Sequence, residues 1–227
     1  MKPRADILHD GIRIQARGSF RDIAHRTSSS STESIPNMMG IVFNLLETAV
    51  SRTYGEAQWY QLLDKAGLDG AYTSIGNYPD ADAFRIVGAA AEVLQLPPGE
   101  VLRWFGRESM TMLAERYRIF FDGHSSARTL LPTINRVIHA EVRKLYPNAL
   151  LPDFSFEDAP ADTLRMVYHS SRSLCDLAQG FIEGTALVFK EQIKIEHPHC
   201  KLRGDHQCRF DIRFQELVPA NRPLAKD

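Results

Sequence analysis

Tyr168-His169-Ser170-Ser171-Arg172, with His139 twenty-nine residues before it, decides how this chain is read. In an extended segment alternate side chains share a side, so Tyr168, Ser170 and Arg172 form one polar row. Two hydroxyls and a guanidinium fork suit a pair of carboxylates fixed in place. Taken alone, Arg172 reads as a solvated surface arginine after a strand. Placed beside Tyr168 and Ser170 it reads as an anion site, and a buried guanidinium needs a carboxylate partner, from a cofactor or from the protein itself.

His139 lies in Leu130-Leu131-Pro132-Thr133-Ile134-Asn135-Arg136-Val137-Ile138-His139-Ala140-Glu141-Val142. Leu131, Ile134, Ile138 and Val142 make an apolar stripe at helical spacing, with His139 at its edge. An imidazole there can enter an apolar pocket as a metal ligand; a hydrogen-bonded core histidine is the plain alternative. Haem would join the two observations, since it carries paired propionates and its iron takes an axial histidine.

These residues, at these offsets, resemble the haem-nitric oxide/oxygen-binding (H-NOX) family, whose gas-sensing domain also occurs in soluble guanylate cyclase. The stretch Met38-Met39-Gly40-Ile41-Val42-Phe43-Asn44 is similar to the opening Met-x-Gly-Ile-Ile/Val-Phe-Asn of bacterial members. The likeness runs through Ile193-Lys194-Ile195-Glu196-His197 to near Phe214, about four-fifths of the chain. The resemblance implies a haem b with His139 as its proximal ligand and Tyr168, Ser170 and Arg172 on its propionates. It also places Val42, Leu46 and Leu177 at the haem, and Pro152 against the porphyrin; a simple loop proline before Asp153-Phe154 is the other reading of Pro152.

Oxygen-binding members carry a distal tyrosine five positions after the motif arginine, supported by a tryptophan near the domain start. Here those positions hold Leu177 and Leu46, and neither can donate a hydrogen bond. The resemblance therefore implies a five-coordinate ferrous haem that prefers nitric oxide (with carbon monoxide a second ligand) and excludes oxygen. Tyr117 and Ser109 are the residues that could supply another donor. The implied mechanism is that nitric oxide weakens or breaks the iron–His139 bond and shifts one subdomain against the other. The reader of that shift is expected to be a separate histidine kinase or cyclic-di-GMP enzyme.

A second cluster lies near the C-terminus. Cys200 and Cys208 flank a turn at Gly204-Asp205, and His197 precedes Cys200 by three residues. Thiolates and an imidazole suit zinc, and Cys175 would complete a Cys₃His structural site. Several bacterial members resemble this chain in the same His-x₂-Cys-x₇-Cys segment. His199 and His206 compete as the fourth ligand, and three unconnected reduced cysteines are the bland alternative.

Composition bounds the rest. The chain has 227 residues, 44% of them hydrophobic, with 27 basic and 28 acidic side chains. That is enough for one well-filled core, and no block of like charge points to nucleic acid or an anionic membrane. Three cysteines fit a reducing cytoplasm better than a disulfide scaffold, and no apolar run reaches bilayer length. A cytoplasmic protein without membrane segments is expected.

Residues 1–37 hold six Lys/Arg, four Asp/Glu and the run Thr27 to Ser34, and read as a disordered tail or a start assigned too early. Residues 38–216 read as the sensor domain and 217–227 as a short tail. Periodicity predicts helices from Ile41 to about Tyr54, over Glu56–Ala66, Ala81–Leu96, Glu100–Phe121, Ala127–Tyr146 and Ser173–Lys190. Strands are predicted at Thr163–His169, Ile193–Glu196 and Arg209–Phe214. Helices first, then a small antiparallel sheet with a helix, make an α+β domain of two subdomains with the cofactor between them. No nucleophile–base pair or phosphate-binding loop is evident, so a non-catalytic sensor is the reading. The alternatives are a zinc-thiolate redox sensor and a haem peroxidase, the latter lacking a distal acid–base residue at Leu177 and Leu46.

Overall fold

Apolar faces at helical spacing build the first half of the structure. The computed structural model of the chain describes residues 37–147 and 149–215. Helix α1 (Gly40–Tyr54) buries Phe43, Leu46, Ala49 and Val50, and α2 (Glu56–Ala66) buries Trp59, Leu62 and Leu63. The chain leaves α2 through Gly67 at φ +65°, where the Leu68 N–H reaches back to the Leu63 carbonyl at 3.0 Å. Helix α3 (Asp80–Leu94) follows, and α4 (Pro98–Arg116) begins with proline where no helical N–H partner is lost.

The start of this unit is pinned by a strand pair that the sequence reading omitted: β1 (Asn37–Met39) lies antiparallel to β2 (Asn77–Pro79). A Cβ at Gly40 would fall 1.8 Å from the Thr73 carbonyl oxygen, which explains glycine in the opening motif. Asn44 of the same motif donates to the Tyr72 carbonyl and accepts from the Ser74 hydroxyl.

The second half is a four-stranded antiparallel sheet with one helix. Strands β3 (Asp153–Glu157), β4 (Thr163–His169), β5 (Ile193–His199) and β6 (Cys208–Phe214) run in the order β3-β4-β6-β5. Helix α7 (Cys175–Val188) joins β4 to β5. Strand β3 was not foreseen, although Phe154 and Phe156 alternate with polar residues there.

The predicted continuous helix over 127–146 is instead four short pieces. Helix α5 (Ala127–Leu130) passes into a 3₁₀ turn (Leu131–Thr133), a π-helical turn (Ile134–Ile138) and α6 (His139–Leu145). Pro132 has no N–H for the regular ladder, which accounts for the break. Other ends shift as well. The helix predicted at 81–96 ends at Leu94, and the one predicted at 100–121 ends at Arg116. The helix predicted from Ser173 starts at Cys175. Of the predicted tails, only Asn37 is among the described residues; 1–36 and 216–227 lie outside them.

Two apolar cores result. One is built from α1 to α4 around Phe43, Leu46, Trp59, Ile86 and Phe105; the other packs α7 on the sheet around Met166, Tyr168, Ile182 and Phe210. Each large side chain so buried stabilises by about 1.5–3 kcal/mol. Helix α7 serves both, with Cys175, Ala178 and Ile182 in the second core and Leu174 and Leu177 packed on the first. Its contact with α4 is backbone-close. A Cβ at Gly180 would lie 2.1 Å from the Arg103 carbonyl oxygen, and Glu183 accepts from Arg103 Nε at 2.7 Å and Arg107 Nη1 at 3.0 Å.

Candidate functional site

The polar row is not one extended strand. Strand β4 ends at His169, the Ser170 hydroxyl accepts the Arg172 backbone N–H at 3.1 Å, and Ser173 adopts φ +52° before α7. Tyr168 remains on the strand, buried, and its hydroxyl accepts the Leu174 N–H at 3.1 Å. Burial pushes its phenol up to about 12, opposed by hydrogen bonding with Ser170.

The turn aims Arg172 at Asp80, ninety-two residues earlier. Nε meets Asp80 Oδ2 at 2.5 Å and Nη2 meets Oδ1 at 3.0 Å, while Nη1 and Nη2 donate to the Leu150 and Asn37 carbonyls at 2.5 Å each. The pair is enclosed, with side-chain exposures of 12% and 8%. Arg172 thus does grip a carboxylate in a fork, and here that carboxylate is the protein's own. Asp80 escaped the sequence reading because an acidic residue in a first helical turn is ordinary.

His139 opens α6, directly after the π-helical turn. Asn135 in that turn docks it on β3 by donating to the Phe154 carbonyl at 2.6 Å and accepting the Phe154 N–H at 3.2 Å. The His139 ring then lies 5.9 Å from the Phe154 ring, which lies 5.7 Å from that of Tyr168. His139 Nδ1 is buried without a hydrogen-bond partner. Burial, then the Arg143 charge, lower its pKa to about 4, against the pull of Asp153 and the Pro152 backbone. The ring is therefore neutral at pH 7 with a lone pair free for a metal. Phe154 and Asn135 were missed, their role being visible only once β3 was known.

Val42, Leu46 and Leu177 come together. With Phe43, Leu102, Phe105, Leu174 and other apolar side chains they line a pocket of about 350 Å³, part of it open to solvent. Ser109 and Tyr117 are not among its lining residues. Neither His139 nor Arg172 is among those lining residues; the free Nδ1 of His139 has the chemistry for a haem iron, and Arg172, its fork on Asp80, keeps one N–H for a propionate.

The C-terminal cluster forms as expected. One ligand atom from each of Cys175, His197, Cys200 and Cys208 lies within 4.8 Å of the others, and the three cysteines are buried. Neither His199 nor His206 belongs to the group. A tetrahedral zinc about 2.3 Å from each sulfur sets sulfurs about 3.8 Å apart, and Cys175 Sγ lies 3.6 Å from Cys200 Sγ. Hydrogen bonding from the Cys175 thiol, then from Cys208, drives the Cys200 pKa down, while Cys175 is driven up as the donor. His197 Nε2 is buried with no partner. Pairing between β5 and β6 is interrupted at His197-Pro198, and beyond it Gly204, at φ +95°, turns the chain. There Asp205 accepts the Cys200 N–H at 2.7 Å and the Lys201 N–H meets Cys208 Sγ at 3.3 Å. These residues fit a structural zinc.

Comparison with known proteins agrees with this fold. The H-NOX protein of S. oneidensis, solved in its Fe(II)NO ligation state, is 34% identical, covers 78% of this chain and 99% of its own, and superposes with a TM-score of 0.73. Its solution structure in the Fe(II)CO state is similar at 34% identity, 79% and 99% coverage and a TM-score of 0.72. Soluble guanylate cyclase gcy-34 of Caenorhabditis elegans is 25% identical over 170 residues, 70% of this chain, which spans only 24% of that protein's length. Among the described residues no helix is long and apolar enough to cross a membrane. The family model described as Haem-NO-binding matches residues 39–197, and the chain belongs to that family, the H-NOX domains.

Proposed function

We propose that this chain is a haem-based nitric oxide sensor, non-catalytic itself, that regulates a separate histidine kinase or cyclic-di-GMP enzyme through weakening of the iron–His139 bond. Haem b would supply the ferrous iron that takes the gas. His139 would hold that iron, Tyr168, Ser170 and Arg172 the propionates, and Pro152 one face of the ring. The observation that carries the reading is the pocket wall. Leu46 and Leu177 converge there with Val42 and Leu174, and the lining residues present no side-chain donor. Dioxygen is polarised on binding and benefits from a donor, whereas nitric oxide binds strongly without one. Carbon monoxide, equally indifferent to a donor, would bind as well.

The test is an absorption spectrum of the dithionite-reduced protein, anaerobic, then in air, then with nitric oxide. A five-coordinate ferrous spectrum unchanged by brief air and shifted by nitric oxide is expected. A stable oxygen complex would refute the oxygen exclusion, and failure to take up haem would refute the sensor. For the output, His139→Gly should hold the partner at its nitric-oxide-bound activity; activity at the unliganded level would sink the mechanism.

The Cys₃His cluster supports a second reading, a zinc-thiolate redox sensor acting on the same partner. Peroxide would oxidise two thiolates to a disulfide, its two electrons reducing the peroxide to water, and zinc would leave. Zinc retained through peroxide treatment would dismiss this.

A further inference from the structure

The two candidate sites meet in one turn of helix. Cys175, the first residue of α7, is buried in the Cys/His cluster, while Leu174 before it and Leu177 after it line the apolar pocket. The sheet repeats this adjacency. Tyr168 pairs with Phe154 on one side and with Cys208, a second member of the cluster, on the other. Residues paired across strands share a sheet face. The Tyr168 hydroxyl then takes the Leu174 N–H at 3.1 Å. Two routes therefore run from cluster to pocket, one along the chain and one across the sheet, and each is only one to three residues long.

The connection is stiff. Between Arg172, gripped by Asp80, and Cys175 stands Ser173 at φ +52°, a conformation that a non-glycine residue keeps only when its neighbours on both sides are anchored. Nor can α7 slide to absorb a shift. Gly180 and Gly184 lie against the α4 backbone, with a Cβ on Gly184 falling 2.7 Å from Met110 Cβ and 2.8 Å from the Arg107 carbonyl oxygen. Movement at Cys175 is passed to Leu174 and Leu177.

We infer that a metal on Cys175, His197, Cys200 and Cys208 and a haem held by His139 and Arg172 are thermodynamically linked, metal loading fixing the first turn of α7 in the arrangement that retains the haem. The linkage rests on both readings above. One ion drawing ligands from α7 and from both strands of the β5–β6 hairpin ties the helix start to the sheet. Without it, Cys175 and Cys200 are left with each other, 3.6 Å apart, and Cys208 with the Lys201 N–H. Such linkage is reciprocal: whatever factor zinc adds to haem affinity, haem adds to zinc affinity.

The test uses the full chain loaded with haem and zinc, half of it stripped of zinc by a chelator under anaerobic conditions. Metal analysis and haem absorption establish the loading of each sample, and equilibrium partition of haem against apomyoglobin gives relative affinity. Zinc-free protein is expected to hold haem about 5- to 150-fold more weakly, and haem-free protein to hold zinc more weakly by the same factor. Ser173→Gly, which frees that residue to take other backbone conformations and removes no ligand, should keep both loadings and shrink the factor toward one. Equal haem partition with and without zinc, at verified loading, would overturn the linkage. A chain that takes haem but no zinc would defeat the metal reading and the linkage with it; zinc without haem would defeat the haem reading. The loading analyses tell these failures apart.

Discussion

Removing the Arg172 guanidinium should destabilise the haem-free protein by about 3–5 kcal/mol, the cost of leaving one partner of a buried ion pair alone. The magnitude follows from the enclosure of the pair, whose side chains are 12% and 8% exposed, too little for solvent to screen an orphaned carboxylate. In Arg172→Ala, Asp80 loses both of its forked donors, and the Leu150 and Asn37 carbonyls lose theirs. Replacing the pair together, as Arg172→Met with Asp80→Leu, removes the stranded charge and should return stability to within about 1 kcal/mol of the parent. Asp80→Asn keeps one acceptor and should fall between. The assay is urea unfolding of haem-free protein followed by circular dichroism and by fluorescence, to which the buried Trp59 contributes. If Arg172→Ala costs less than about 1 kcal/mol, or the double variant is as unstable as the single one, Arg172 is not held as the structure shows.

Leu177→Tyr should place a phenol in the pocket, and one donor contributing about 1–1.5 kcal/mol would raise oxygen affinity about five- to twelvefold, read by oxygen titration of the ferrous protein. Gly180→Ala should cost about 3 kcal/mol, because the added methyl meets the Arg103 carbonyl rather than a movable side chain; calorimetry should find Tm lower by about 6–12 °C. Asp205→Ala should weaken zinc about 10- to 100-fold in chelator competition without changing which residues ligate it, since Asp205 fixes the Cys200 backbone and supplies no ligand.

Local patterns reached most of the helices and the Cys/His cluster. Helix α2 was legible to the residue because Gly55 and Gly67 bracket a clean apolar stripe, and the Cys/His set was legible because Gly204-Asp205 announces the turn that folds it. Most failures fell where long-range packing overrides local preference. Pro132, the sixth residue of the predicted helix, was a break signal the reading passed over, and the docking of Asn135 on β3 accompanies the π-helical turn before His139. The extended row failed after His169, where the strand ends and the chain turns toward Ser173, whose positive φ no local signal requires. Asp80 could not be paired with Arg172 across ninety-two residues without the fold. Of the expected pocket residues, Val42, Leu46 and Leu177 were found through family resemblance, and apolar periodicity alone would have sent them to an ordinary core.

Arg172 also shows how site and scaffold share parts. A guanidinium has five N–H groups, and four of Arg172's are engaged: Nε and Nη2 on Asp80, Nη2 also on the Asn37 carbonyl and Nη1 on Leu150. One is left for a further oxygen, so an incoming carboxylate must accept that single donor or displace existing partners. These partners belong to β1, to the start of α3 and to the segment before β3, whereas Arg172 itself stands just before α7. Among the described residues, Glu183 of α7 also joins the two cores through Arg103 and Arg107, and Leu174 and Leu177 at the start of that helix pack on the first core. A motion of one core against the other therefore has to be accommodated at this helix or at the turn before it. The glycine-lined contact with α4 leaves little room for gradual bending, so repacking between discrete arrangements is the motion this architecture permits.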